Sequence, residues 1–170
     1  GQDAIGNTMD EGKVVIDGHA GDVIGHSMRG GKIFVRGDIG YRAGIHMKAY
    51  KDLYPVVIIG GSARDFLGEY MAGGLMVVLG LNSDRKNIAG NYIGTGMHGG
   101  EIYVRGEVEE FQLGEEVGIK EPTEQDMDKL RNYIDEFAKE FSLNGSEIMN
   151  EDFIKIVPDT HRPYGKIYAY

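Results

Sequence analysis

Gly25-His-Ser-Met-Arg-Gly-Gly-Lys-Ile-Phe-Val-Arg-Gly37 is the stretch that decides the fold. A Gly-x-x-Met tetrad is followed, after Arg29, by a glycine pair, a β-type run and a closing glycine. The tetrad returns as Gly6-Asn-Thr-Met9, Gly44-Ile-His-Met47, Gly68-Glu-Tyr-Met71 and Gly94-Thr-Gly-Met97, and the run returns as Glu101-Ile-Tyr-Val-Arg-Gly106. Gly25 to Gly44 and Met28 to Met47 are each nineteen residues apart. A repeat this short, built on strands, predicts a stack in which each copy is held by its neighbours. The repeated residues Gly6, Met9, Gly25, Met28, Gly44, Met47, Gly68, Met71, Gly94 and Met97 are accordingly structural candidates.

Aligned on their closing glycines Gly18, Gly37, Gly60, Gly80 and Gly106, the runs place Val14, Ile33, Val56, Met76 and Ile102 in one column. Ile16, Val35, Ile58, Val78 and Val104 form a second. Side chains two apart share one face of a strand, so both apolar columns point the same way. Aligned on the methionines, the copies add a column of Ile5, Ile24, Ala43, Leu67, Ile93 and Leu113, beside Met9 through Met97 and then Val117. Four apolar columns predict an all-β parallel solenoid with one coil per copy. Glycine fits its turns because it adopts positive φ without strain, and methionine fits its corners because an unbranched thioether fills irregular gaps.

The same alignment predicts an outer face that changes character. Lys13 and Asp17, Lys32 and Arg36, and Glu101 and Arg105 make it charged in the first, second and fifth copies. Pro55, Val57 and Ile59, then Leu75, Val77 and Leu79, make it apolar in the third and fourth. An exposed apolar patch needs a cover. Val57, Ile59, Val77 and Leu79 are therefore candidate interface residues, covered by a partner or by the chain's own tail. Extra residues around Lys48–Tyr54 and Leu81–Asn87 belong in corner loops.

Two parts are expected within one structural domain: repeats over 1–118, then a helix and tail over 119–170 packed on the repeats or capping them. Thr123, with Asp126 three residues on, reads as a helix start. Met127, Leu130, Ile134, Phe137 and Phe141 form one helical stripe, Asn144-Gly145 ends it, and Phe153–Val157 reads as a strand. The first coil is expected to begin in mid-coil at Gln2, its edge left for a partner, an upstream segment or a twin copy.

Composition narrows the chemistry. The 170 residues contain 27 glycines and no cysteine, which removes thiolate nucleophiles, disulfides and cysteine-held clusters. Of the net charge of −9, all lies after Gly106, so there is no basic footprint for nucleic acid. No apolar run reaches the length of a membrane span, and a cytoplasmic location is expected. His19, His26, His46, His98 and His161 show no metal-ligand spacing. No glycine pattern opens a helix as a phosphate loop would, and the nineteen-residue period departs from the eighteen of hexapeptide acyltransferase coils. His161, Arg162 and Tyr164, in His161-Arg-Pro-Tyr164, are further interface candidates because arginine and tyrosine anchor interfaces.

Gly68-Glu-Tyr-Met-Ala-Gly-Gly-Leu-Met-Val-Val-Leu-Gly80, Gly94 through Gly106 and the closing His161-Arg-Pro-Tyr164 resemble the G-x-G-x-G domain of the glutamate synthase large (α) subunit, in its stand-alone form. The C-type subunit of formylmethanofuran dehydrogenase, a molybdenum or tungsten oxidoreductase, shares the glycine ladder and is the alternative; an independent ligand-binding module is a third reading. The resemblance implies a single-stranded right-handed parallel β-helix with two short strands per coil. It also implies a scaffold without catalytic, cofactor-binding or metal residues of its own. The partners it implies are amidotransferase and synthase chains or domains, with FMN and the iron–sulfur cluster on those partners.

Overall fold

Each copy of the repeat lays one strand beside the last. β1 (Lys13–Ile16), β2 (Lys32–Val35), β3 (Val56–Ile59), β4 (Ala72–Val78) and β5 (Gly99–Val104) run parallel in that order. They are seen in a computed structural model that describes residues 2–83 and 86–159. A 3-10 turn (Glu110–Gln112), β6 (Val117–Lys120), α1 (Glu124–Glu140), α2 (Gly145–Met149) and β7 (Ile154–Pro158) follow. β7 enters antiparallel between β5 and β6, giving among the described residues a seven-stranded sheet in the order β1-β2-β3-β4-β5-β7-β6.

This sheet corrects the expected fold class. It mixes parallel and antiparallel pairs and carries helices, so the fold is α/β in type and not an all-β parallel β-helix. The second strand expected in each copy is absent for a backbone reason. Ala4, Thr8, Val23, Ser27, Arg42, His46, Phe66 and Tyr70 have φ between 54° and 65°, whereas a strand needs φ near −120°. The Gly-x-x-Met limbs are therefore turns.

Their backbone is nevertheless satisfied from copy to copy. Thr8, Ser27, His46 and Tyr70 donate forward to the carbonyls of His26, Ile45, Glu69 and Thr95 at 2.8–3.0 Å. Gly25, Gly44, Gly68 and Gly94 donate back to Ile5, Ile24, Ala43 and Leu67 at 2.7–2.8 Å. Left-handed φ costs a non-glycine residue roughly 1–2 kcal/mol, and these bonds offset it because a buried amide without a partner costs about as much. Gly44 illustrates the second constraint: at φ +72°, a Cβ there would lie 2.3 Å from the Met76 sulfur.

Between sheet and turn limbs lies one apolar interior, in which Ile33, Val57, Met76 and Ile102 sit with Met28, Met47 and Met71. The register Ile33↔Val57↔Met76 and Val35↔Ile59↔Val78 corrects the glycine alignment by one residue in the third copy. Side chains alternate along a strand, so this single step turns Val57 and Ile59 inward and sends Val56 and Ile58 outward. The outer apolar patch is thus Phe34, Val56, Ile58, Leu75, Val77, Leu79 and Tyr103.

The chain's own helix covers that patch. Thr123 caps α1, its hydroxyl accepting from the Asp126 N–H at 3.0 Å while the Asp126 carboxylate accepts from the Thr123 N–H at 2.9 Å. Leu130, Ile134 and Phe137 are fully buried against the sheet, with Phe137 edge-on to Phe34 at 5.8 Å between centroids. Asn144 does not end this helix; α1 gives way at Phe141, and Asn144 caps the short α2. Lys13 reaches Glu136 at 2.6 Å and Glu140 at 3.0 Å, and Lys32 reaches Glu136 at 2.6 Å. At the other end Lys155 bridges Asp126 at 2.9 Å and Glu101 at 3.0 Å, and Lys129 also pairs with Glu101.

Truncating Phe137 to alanine should cost about 3–5 kcal/mol, read from urea unfolding; a loss under about 1 kcal/mol would mean that the helix is not seated on the sheet. Charge also ties the helix down. Burial alone would raise the carboxyls of Asp126 and Glu101, but the Thr123 N–H and Lys155 hold Asp126 down to about 2, and Lys129 and Lys155 hold Glu101 below its ordinary value. Their stabilisation is present above the ordinary carboxylate range near 4 and is lost as pH falls towards about 2. Unfolding midpoints measured across that window should fall in the native protein, and more gently in Asp126→Asn.

Candidate interaction surface

With one face of the sheet sealed by α1, the turn limbs form the open side of the molecule. The residue before each repeat methionine is left-handed, and in the third and fourth copies it is His46 and Tyr70. Stacked rungs lie about 4.8 Å apart, close to the contact distance of two rings, so aromatic residues in the same column stack. His46 and Tyr70 do so at 5.2 Å and 16°, and Phe66 and Tyr92 at 4.9 Å and 14°. The Arg42 guanidinium lies over Phe66 at 4.3 Å and pairs with Glu69, whose side chain is only 8% exposed. Tyr70 and Tyr92 remain 45% and 54% exposed, which leaves these stacks facing solvent.

A shallow groove of about 620 Å³ runs along this side, lined by His26, Ser27, Arg29, His46, Lys48, Tyr70, Ala72 and His98. The loop inserted after Met47 stands beside it, where Arg29 lies over the Tyr50 ring at 5.6 Å. Among the described residues, none of the residues lining the groove is acidic.

The candidates read from the sequence fall in different places. Gly6, Gly25, Gly44, Gly68 and Gly94 have φ between 69° and 73°, and Met28, Met47 and Met71 are fully buried beside them, with Met97 5% exposed and Met9 half-buried. Val57 and Ile59 line the interior, away from any surface. Val77 and Leu79 face outward but are fully buried in the cluster that the sheet forms with α1, α2 and Phe153. His161, Arg162 and Tyr164 lie outside the described residues. Of the histidines, His19 accepts the Asp38 N–H at 2.7 Å and His26 lies 3.3 Å from the Asn7 side chain. Among the described residues no group of three or more His, Asp or Glu is placed to hold a metal ion, and no helix is long and apolar enough to cross a membrane.

Arg42, Phe66, Tyr92, Arg29 and Lys48 carry the open side; the sequence reading assigned Lys48 only a place in a corner loop and the other four no role. Their signal was positional: Arg42, Phe66 and Tyr92 occupy one column, five residues before the methionine in successive copies.

The repeat, its glycine positions and the sheet they build define the class. The chain belongs to the GXGXG motif family, whose model matches residues 1–160. An uncharacterized protein of Methanocaldococcus jannaschii, MJ1350, is 56% identical over 136 residues, covering 76% of this chain and 52% of the relative. The chain thus spans about half the length of the curated relative it matches.

Replacing Arg42 with alanine should leave Glu69 buried without its cation and cost about 1–3 kcal/mol, read from thermal or urea unfolding. Glu69→Gln in the same background should recover part of that loss; no recovery would mean that Arg42 acts mainly through Phe66.

Proposed function

We propose that this protein is a non-catalytic structural subunit or domain of a glutamate synthase-type complex, which converts glutamine and 2-oxoglutarate reductively to glutamate. In this role it braces the amidotransferase and the FMN- and iron–sulfur-bearing synthase parts, and both cofactors belong to the partner chains. A cytoplasmic location goes with that role. Membership of the GXGXG family and the resemblance of residues 68–80 and 94–106 support the assignment.

The observation that carries a docking role is the stacked Arg42–Phe66–Tyr92 and His46–Tyr70 columns on the open side. Tyrosine and arginine dominate interface energetics because they offer large, rigid contact area with polar ends. Here a hydrogen-bonded ladder fixes their positions in advance, which lowers the ordering cost of association. The interior behind them is packed with apolar side chains.

The tagged chain, purified from its native source, should bring with it an amidotransferase or an FMN/iron–sulfur synthase chain, and the assembly should make glutamate with a chemical reductant. The isolated chain should give no turnover. Turnover by the isolated chain would overturn the proposal, and a co-purifying molybdenum or tungsten enzyme would replace it with the formylmethanofuran dehydrogenase-type role.

A further inference from the structure

The groove on the turn side has a chemistry that the scaffold role leaves unused. Arg29, Lys48 and His98 each follow a repeat methionine, in the second, third and fifth copies, so they lie in one row along the stack. His46 and Tyr70, in the row just before the methionines, form the adjacent wall. The row crosses four rungs, about 14 Å at the ordinary strand spacing. Arg29, Lys48 and His98 are exposed, and among the described residues no carboxylate pairs with Arg29 or Lys48.

The sheet's other face shows what such a row accepts. There Lys13 and Lys32 stand in a row beside Phe34, and an acidic amphipathic segment covers them: Glu136 and Glu140 take the lysines while Phe137 meets Phe34. The turn-side groove repeats that combination of cations beside aromatic rings, in a chain whose net charge is −9. Its length exceeds what one phosphate or carboxylate can span, and its openness suits a chain lying along it.

We propose that this groove receives an acidic segment of a partner polypeptide that carries an aromatic side chain, its carboxylates on Arg29 and Lys48 and its ring against Tyr70. This deepens the docking role proposed above and rests on it. Like-signed segments are excluded by repulsion, so the row also sets which partner surface is accepted.

The full chain, isotopically labelled, is titrated at low salt with the peptide Glu-Glu-Phe-Glu-Glu, with its lysine counterpart and with inorganic phosphate, and backbone NMR shifts are mapped. The acidic peptide should shift residues 26–29, 46–48, 70–72 and 98, and Arg29→Ala with Lys48→Ala should weaken it about tenfold or more. Lys120→Ala, elsewhere on the molecule, should leave it unchanged. Both exposed substitutions should keep the native spectrum; if the double variant does not, Arg29→Gln alone is read. Equal binding of both peptides, shifts confined elsewhere, or no shift would overturn the proposal. So would phosphate that fills the groove and excludes the peptide, or self-association that buries these residues. Partner chains that still co-purify with the double variant would sink this inference and spare the scaffold role; the absence of any partner chain would sink the scaffold role itself.

Discussion

Hydrogen bonds between successive copies of the turn limb are the constraint on which the rest of the molecule depends. Each limb bends so sharply that left-handed residues are required, and their N–H groups point along the stack and not back into their own copy. Every copy therefore needs a neighbour above and below. The glycines follow, because at positions such as Gly44 both the backbone angle and the neighbouring methionine exclude a side chain. The methionines follow too, since the space beneath an irregular turn is filled best by a flexible, unbranched chain.

From that ladder come two faces of unlike character. On the sheet side, the outward residues of the middle strands are apolar and the flanking ones are lysines, which matches the apolar stripe and acidic flank of α1. The helix is bound there by Leu130, Ile134 and Phe137 along its buried stripe and by ion pairs towards both ends. On the turn side, side chains in register are held one rung apart, so they stack into columns of rings, with the Arg42 guanidinium over Phe66 in one of them. The first face is closed by the chain itself. The second stays open, and its fixed spacing is the property a docking partner would use.

Much of this was legible in the residues. The nineteen-residue spacing, the interior methionine column and the capped helix at Thr123 all appear in the structure, because each has a local physical signature. The register of the third strand was not legible from its closing glycine. Gly60 and Gly61 offer two alignments, and Val56–Ile59 is apolar on both faces, so no alternation chooses between them. The upstream residues held the answer: Pro55 occupies the place of Gly12, Gly31 and Gly74 before the strand, which puts Val56 in line with Lys32 and Leu75. The antiparallel insertion of β7 was hidden for a different reason. Residues 153–157 read as a strand, but nothing local states which edge it joins.

A molecule with one face sealed and the other open makes a definite statement about how it meets other chains. Amide hydrogen exchange, compared between the isolated chain and its native assembly, tests it most directly. Protection should be gained across residues 41–48, 66–72 and 92–98, with α1 already protected in the isolated chain and changed little by assembly. An isolated chain in which α1 exchanges freely, and gains its protection only in the assembly while the turn limbs stay as they were, would contradict it.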